Sequence, residues 1–330
     1  MSTSVVRCIS FPGQQRIEVV ERELPARADG EVLLHVRRTA LCGSDAKLWR
    51  NGAVHTPGHE IFGVVDQPGH ALHRARCVVY IPVHCGLCGR CAAGQTHTCE
   101  REATLIGWNR AGGYAEALSV PEQCLLPVPD DISDDLAPLL LDTIGTAAHA
   151  LRLVQRVLPP PAQLTALITG AGPVGLGGLI ALLDMGVTQV FVADPRAHRA
   201  ALAASLGAQI HPVGELSRRF DLVLESSGNL AAREQGLNVV AAQGVMLWVG
   251  ESDEPWTIVE SKPVRRKDFF LVRSFYFPKG DHAENIALLR RRCASYECLV
   301  DHVFELAEMA VEFPRFIAGE RIKPLMRVAS

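Results

Sequence analysis

"LITGAGPVGLGGLIALL", residues 167–183, is the stretch from which the fold class can be read. A short apolar run ends at Thr169, glycines follow at Gly170, Gly172 and Gly175, and the apolar pattern then resumes at helical length. A GxGxxG alone is a weak signal; between a strand and a helix it has a mechanical meaning. The first glycine makes a tight turn, the second lets backbone approach a pyrophosphate, and the third packs helix on strand. Pro173 and Val174 then open a helix whose free N–H groups and dipole favour an anion. The wider window "LTALITGAGPVGLGGLIALLDMG" (164–186) is apolar enough to suggest a membrane span, but its glycines, Pro173 and Asp184 argue for a buried strand and helix. Further on, "QVFVADPRAHR" (189–199) puts Asp194 nineteen residues beyond Gly175, at the end of the next strand. A carboxylate there accepts both ribose hydroxyls of an adenosine and repels a 2′-phosphate. NAD is therefore expected rather than NADP, with Arg196 the nearby cation that would favour the phosphate.

The chain has a different texture on each side of "LPPPAQ" (158–163), a stiff connector that cannot continue a helix. After it, apolar runs such as "FDLVLESSG" and "GVMLWVG" alternate with helical patterns, which predicts βαβ units and a doubly wound parallel sheet. Before it, short β-branched runs ("EVLLHVRR", "IFGVVD", "CVVYIPV") are separated by Pro and Gly, which predicts a mainly β segment. At 330 residues two domains are expected. The chain is 48% hydrophobic and 21% charged, with a formal net charge of −3. That is an ordinary globular composition with no general attraction to nucleic acid or anionic membrane. The basic run Arg265–Lys267 reads as a solvated face.

"HCGLCGRCAAGQTHTCE" (84–100) crowds four of the chain's ten cysteines into C-x2-C-x2-C-x7-C. The start of the chain, "MSTSVVRCISFPGQQ", has no basic, apolar and small-residue export pattern, so a reducing cytoplasm is expected. There, clustered thiols more often hold metal than form disulfides. Cys85, Cys88, Cys91 and Cys99 suit a tetrahedral zinc whose four thiolates leave no open position, which makes a structural knot in a loop. A second constellation comes from three separate segments. "LCGSDAKLW" offers Cys42, "TPGHEIFGVV" offers His59 followed by Glu60, and "APLLLDTIGTAAHAL" carries Asp142 into an apolar helix. One thiol, one imidazole and a carboxylate leave the fourth position of a zinc ion open, as catalysis requires. Asp142 and Glu60 both remain candidates for the third ligand.

"CGSD", "GHE", the four-cysteine lobe, "GGYAEALSVP" (112–121) and the glycine-rich loop follow one another in an order that resembles the zinc-containing medium-chain dehydrogenases. Within that superfamily the resemblance is to the alcohol and polyol dehydrogenases, and among these to the threonine, sorbitol and polyol enzymes. It implies a GroES-like catalytic domain with a zinc lobe over 1–142, a Rossmann domain over 143–284, and a return segment over 285–330. It also implies two zinc ions per chain, one structural in the lobe and one catalytic on Cys42, His59 and Asp142. Glu60 would stand near enough to enter the coordination sphere, Asp45 would fix the His59 tautomer, and Ser44 would take the substrate proton. Arg199 would pack against the ribose, and the backbone at Val249 and Gly250 would hold the nicotinamide carboxamide.

Some positions depart from the pattern. Lys47 stands where the family often has a proton-relaying histidine, "ARCV" (75–78) replaces the usual turn before the lobe, and Arg273 takes a position common for glycine. Lys47, Trp49 and Trp108 are further candidates for the substrate pocket. The implied reaction is hydride transfer from a secondary alcohol (a polyol, sugar, aminocyclitol or hydroxy amino acid) to NAD. A cytoplasmic homodimer or homotetramer is implied, with no nucleic-acid or membrane partner. A zinc-free enoyl or quinone reductase would lack Cys42, His59 and the lobe, and a non-catalytic nucleotide-binding protein would lose a ligand. Both alternatives fit the residues less well.

Overall fold

The described chain opens as a hairpin of β1 (Val5–Gly13), which buries Cys8, Ile9 and Phe11, with the more exposed β2 (Arg16–Glu23). The computed structural model describes residues 5–24, 26–258 and 262–328. Residues 1–4 and 329–330, the outermost positions of the expected first and last segments, lie outside the described residues. The chain gathers into two compact units. One comprises Met1–Leu141, Pro278–His282 and Glu297–Ser330; the other comprises Asp142–Phe277 and Ala283–Tyr296.

In the first unit, β3 (Glu31–Ala40) is the central strand of a sheet. It pairs antiparallel with β4 (Glu60–Val65), which pairs with β5 (Arg76–Val79). Between β3 and β4 lies the short helix α1 (Ala46–Asn51). The cysteine lobe follows β5: a two-stranded ribbon of β6 (Pro82–Val83) and β7 (Thr104–Leu105) frames it, with α2 (Gly89–Ala92) inside. β8 (Ala117–Pro121) then pairs with β3, and β9 (Leu125–Pro127) with β5. The β3–β4 register ends at Ala40 opposite Glu60. Cys42, just past β3, and His59, just before β4, therefore leave the sheet at the same end.

The second unit begins with a π-helical turn, Asp142–Thr146, that runs into α3 (Ala147–Val154). The expected α-helix around Asp142 is thus corrected to a wider first turn. That turn is packed closely: a Cβ added to Gly177 would lie 1.9 Å from the Thr143 carbonyl oxygen. β10 (Thr165–Thr169) leads through the glycine-rich loop into α4 (Pro173–Asp184). β11 (Gln189–Ala193), α5 (Ala197–Ser205), β12 (Gln209–Ile210), β13 (Phe220–Glu225), α6 (Leu230–Val239) and β14 (Val240–Trp248) follow. After α7 (Lys262–Arg265), β15 (Phe270–Arg273) completes the sheet. All neighbours are parallel, in the order β12-β11-β10-β13-β14-β15. This is the doubly wound order, with its switch point between β10 and β13. Strands buried on both faces explain the continuous apolar runs, and Leu167, Phe191, Phe220, Val223, Leu237 and Met246 share one core.

The chain then forms α8 (His282–Arg291) and α9 (Cys293–Glu297). β16 (Val303–Glu305) is followed by α10 (Met309–Ile317) and β17 (Leu325–Arg327). β17 lies antiparallel beside β3, with Leu325 opposite Ala40, so the end of the chain closes the first unit's sheet. No described helix is long and apolar enough to cross a membrane.

Asp184, the polar residue of the apolar window, ends α4 and receives Arg291 at 2.7 Å and Arg292 at 3.1 Å. The Arg291 hydrogen bond, opposed by partial burial, holds the Asp184 carboxyl below its ordinary range. A depressed native pKa stabilises the fold above the unfolded value, about 3.9, and that contribution is lost as pH falls through the native one. Asp184→Asn should therefore cost about 1 kcal/mol at pH 7, because the arginines are half exposed. In urea titrations the gap to wild type should narrow progressively as pH falls below the unfolded value; an undiminished gap in acid would assign the effect to packing.

Candidate active site

Asp45 is the buried residue around which the first cluster is built. It closes a 3₁₀ turn, Gly43–Asp45, that turns the chain back directly after Cys42. One carboxylate oxygen accepts the Tyr114 hydroxyl at 2.6 Å, and the other lies 3.1 Å from Nδ1 of the buried His59. Burial, reinforced by Asp45, pushes the Tyr114 hydroxyl far up, so it stays a donor. With Nδ1 on the side of the ring that faces this carboxylate, Nε2 is the atom that faces away from it.

Cys42, His59, Glu60 and Asp142 each offer a ligand atom, and these atoms all lie within 4.8 Å of one another. Asp142 is the first residue of the second unit and is joined by one peptide bond to Leu141 of the first. Thiolate, imidazole and carboxylate form a donor set that zinc accepts. The structure brings both candidate carboxylates to the cluster, but their surroundings differ. Glu60 is fully buried and ion-paired with Lys323, itself 1% exposed, whose Nζ also donates to the Leu41 carbonyl at 3.1 Å. Asp142 is partly exposed.

The remaining candidates separate. Ser44 donates its hydroxyl to Cys42 Sγ at 3.2 Å, so it stands at the cluster. The Trp108 ring lies 5.7 Å from the His59 ring, tilted by 30°. Lys47 is exposed on α1, and Trp49 packs edge-on against Phe313 in the core. Lys323 and Tyr114 went unremarked in the sequence: a lysine in "RIKPLMRV" reads as solvated, and Tyr114 sits in a strand motif.

In the lobe, the four sulfurs likewise lie within 4.8 Å of one another. Cys85 and Cys91 are 3.9 Å apart, as are Cys88 and Cys99. That is too long for a disulfide and close to the tetrahedral edge of about 3.8 Å set by a metal–sulfur distance of about 2.3 Å. Backbone N–H groups point at the sulfurs. Those of Glu100 and Cys91 hold the Cys88 thiol down to about 6, and those of Leu87 and Cys88 lower Cys85. Burial pushes Cys91 the other way, to about 12, so its thiolate needs a cation beside it.

The glycine-rich loop is shaped as its sequence suggests. Gly170 has φ +97°, and a Cβ on Gly175 would lie 2.0 Å from the Gly170 carbonyl oxygen. At Gly172 a Cβ would meet only Arg199 Nη1, at 3.9 Å. The fold itself therefore does not require glycine at 172, whereas a phosphate lying against the backbone would. Pro173 and Val174 begin α4 with no side-chain cap, leaving its N–H groups for an anion. Asp194, just past β11, accepts Ala171 N–H and Arg196 N–H at 2.8 Å each. The N–H groups of Val249 and Gly250 are held by the Glu225 carbonyl.

Residues 28–130 match the Alcohol dehydrogenase GroES-like domain. The chain is 31% identical over 252 residues to an L-threonine 3-dehydrogenase of Mesorhizobium japonicum, covering 69% of this chain and 70% of that one. An L-threonine 3-dehydrogenase of Coxiella burnetii is 32% identical over 276 residues, covering 76% and 78%. Among solved structures, an alcohol dehydrogenase of Thermus sp. ATN1 superposes with a TM-score of 0.89 and 26% identity, covering 98% of this chain and all of that one.

Removing one partner of a buried ion pair leaves the other charge uncompensated, at a cost of about 3 kcal/mol or more. Lys323→Met should lose that much in chemical denaturation, and adding Glu60→Gln should recover most of it. A Lys323→Met protein as stable as wild type would show that the pair does not neutralise the base of the site.

Proposed function

This chain belongs to the zinc-containing medium-chain alcohol and polyol dehydrogenases, and we propose that it oxidises a secondary alcohol to a ketone with NAD. The observation that carries this is the gathering of Cys42, His59, Glu60 and Asp142 from distant segments, with the His59 ring 3.1 Å from the Asp45 carboxylate. When bound, zinc acts as a Lewis acid on the substrate oxygen and NAD accepts the hydride. Cys42, His59 and Asp142 hold the catalytic ion in this reading. Glu60, tied back to Lys323, stays behind them as a carboxylate within reach. Asp45 keeps the proton of His59 on Nδ1, and the Ser44 hydroxyl carries the substrate proton away from the reacting oxygen. Lys47, exposed on α1, is the residue proposed to pass that proton to solvent. The Trp108 ring beside His59 gives the substrate an apolar wall.

The nucleotide part of the proposal rests on the second unit. Gly170, Gly172, Pro173, Val174 and Gly175 receive the pyrophosphate. Asp194 and Arg199 take the adenosine ribose, and the backbone at Val249 and Gly250 takes the carboxamide. Asp194, aimed by two backbone N–H groups, supports NAD over NADP. Cys85, Cys88, Cys91 and Cys99 hold the structural ion. The functional division proposed is catalytic over 1–142, nucleotide-binding over 143–284 and a return over 285–330, although by compactness Pro278–His282 gathers with the first unit and Ala283–Tyr296 with the second. The cytoplasmic placement is supported by ten cysteines without a disulfide among the described residues. A homodimer or homotetramer is supported by β15, an edge strand with Phe270 and Leu271 exposed. The threonine dehydrogenase relatives favour a hydroxy amino acid as the first substrate to try, ahead of polyols and aminocyclitols.

Purified protein should reduce NAD, followed by absorbance, with at least one member of a panel of hydroxy amino acids, polyols and aminocyclitols. Metal analysis should find two zinc ions per chain, one for each cluster. Asp142→Ala should lose one ion and activity by at least about a hundredfold, since three protein ligands are the norm for such a site. Cys91→Ser should lose the other ion together with thermal stability. Glu60→Ala should keep both ions and turn over more slowly. Full zinc content in Asp142→Ala with an ion lost in Glu60→Ala would exchange the roles of the two carboxylates.

A further inference from the structure

Outside the residues already assigned, the described residues of the second unit include a fully buried ion pair. Glu225 ends β13 at 0% exposure, and Arg233, in the first turn of α6, is 1% exposed. Arg233 Nε donates to Glu225 Oε2 at 3.3 Å. The other oxygen of Glu225 accepts three donors of the loop that follows: Ser227 N–H and hydroxyl at 2.7 Å, and Gly228 N–H at 2.9 Å. Arg233 continues to the next loop, donating to the Gly250 carbonyl at 3.0 Å, which Trp248 Nε1 also reaches at 2.8 Å. The guanidinium lies 4.5 Å over the Trp248 ring.

The two loops press backbone to backbone. A Cβ at Gly228 would lie 1.8 Å from the Glu251 carbonyl oxygen, and one at Gly250 would lie 2.3 Å from the Gly228 nitrogen. One carboxylate and one guanidinium thus fasten the loop after β13 to the loop after β14. A buried arginine is a costly way to fill apolar space, and replacing such a pair by apolar side chains is often neutral or stabilising. Its position at the carboxyl ends of the strands points to a different use, because open parallel sheets bind their ligands at that edge.

The sheet order decides which part of a ligand lies there. With the pyrophosphate at the loop after β10 and the adenosine at Asp194 after β11, one half of a dinucleotide is accounted for on one side of the switch point. The other half must run over the loops after β13 and β14. We infer that the Glu225–Arg233 pair is a positioning device for the redox half of the dinucleotide: it holds the 226–229 and 249–251 backbones at the spacing that half requires. Neither side chain is placed against the reacting atoms; both act through the loops they hold. The inference rests on the dinucleotide reading of the glycine-rich loop, and two ligands separate the failure of one from the failure of the other.

The test is calorimetric titration of the full-length protein with NADH and with ADP-ribose, which lacks the nicotinamide. Wild type should bind both; binding of neither would sink the dinucleotide reading itself. Arg233→Met should weaken NADH about tenfold, the scale of one lost anchoring interaction, while ADP-ribose stays within about twofold. Glu225→Gln, which keeps an oxygen for Ser227 but loses the charge, should shift the same ratio. A role in stability alone would lower the melting temperature and leave the NADH to ADP-ribose ratio unchanged, and that result would overturn the inference. Should Arg233→Met fail to fold, Arg233→Lys keeps the buried charge but loses the fork that spans Glu225 and Gly250. It should shift the ratio in the same direction, and an unchanged ratio in a folded Arg233→Lys protein would be equally decisive against it.

Discussion

The ion pair between Glu60 and Lys323 joins residues 263 positions apart in a region closed to water, and the first unit is organised around it. A carboxylate buried at the start of β4 requires a cation, and the chain supplies it two residues before β17. The strand β17 then lies beside β3 with Leu325 opposite Ala40, next to the Ala40–Glu60 register that ends the β3–β4 pair. Lys323 also satisfies the Leu41 carbonyl, one residue before Cys42. The return of the chain to the first unit and the placement of a ligand candidate are thus the same event. Cys42, Glu60 and Asp142 bring negative charge to one point, and in our account the lysine offsets the part that a divalent ion leaves over.

A similar device recurs in the second unit. There Glu225 and Arg233 fasten two loops at the carboxyl edge of a parallel sheet. In each case a strand end carries a buried carboxylate, and a distant or helical cation fixes where the neighbouring backbone must lie. Apolar packing sets the layers in both units, but it does not specify loop positions to a fraction of an ångström. Directional bonds to charged groups do, because an unmade one is expensive where water cannot reach.

The legible parts of the sequence are those whose signal is local. The strand ending at Thr169, the glycine loop and the helix opening at Pro173 lie within one short window. So do the four lobe cysteines, whose spacing alone brings their sulfurs together. The parallel sheet was legible from alternating textures, since strands buried on both faces must be continuously apolar. Lys323, Arg233 and Tyr114 carried no such signal. A lysine or arginine in a mixed segment is nearly always solvated, and only tertiary closure identifies the carboxylate that draws it inside. The π-helical turn at Asp142 carried no local signal either: it packs against Gly177 of α4, more than thirty residues along the chain. Glu60 and Asp142 could not be told apart by type, because the partner that distinguishes Glu60 lies in the last ten residues of the chain.

The central claim is that one chain holds two ions in different donor sets, four thiolates in the lobe and a single thiolate with imidazole and carboxylate at Cys42 and His59. X-ray absorption at the zinc edge of the purified protein tests this directly, since sulfur scatters at about 2.3 Å and nitrogen or oxygen at about 2.0–2.2 Å. The account predicts a mixed shell, with fewer than four sulfurs per zinc on average and an imidazole contribution. Cys91→Ser protein depleted of its lobe ion should show a shell dominated by nitrogen and oxygen. A shell of four sulfurs per zinc with no imidazole contribution would leave only the lobe as a metal site and contradict the account.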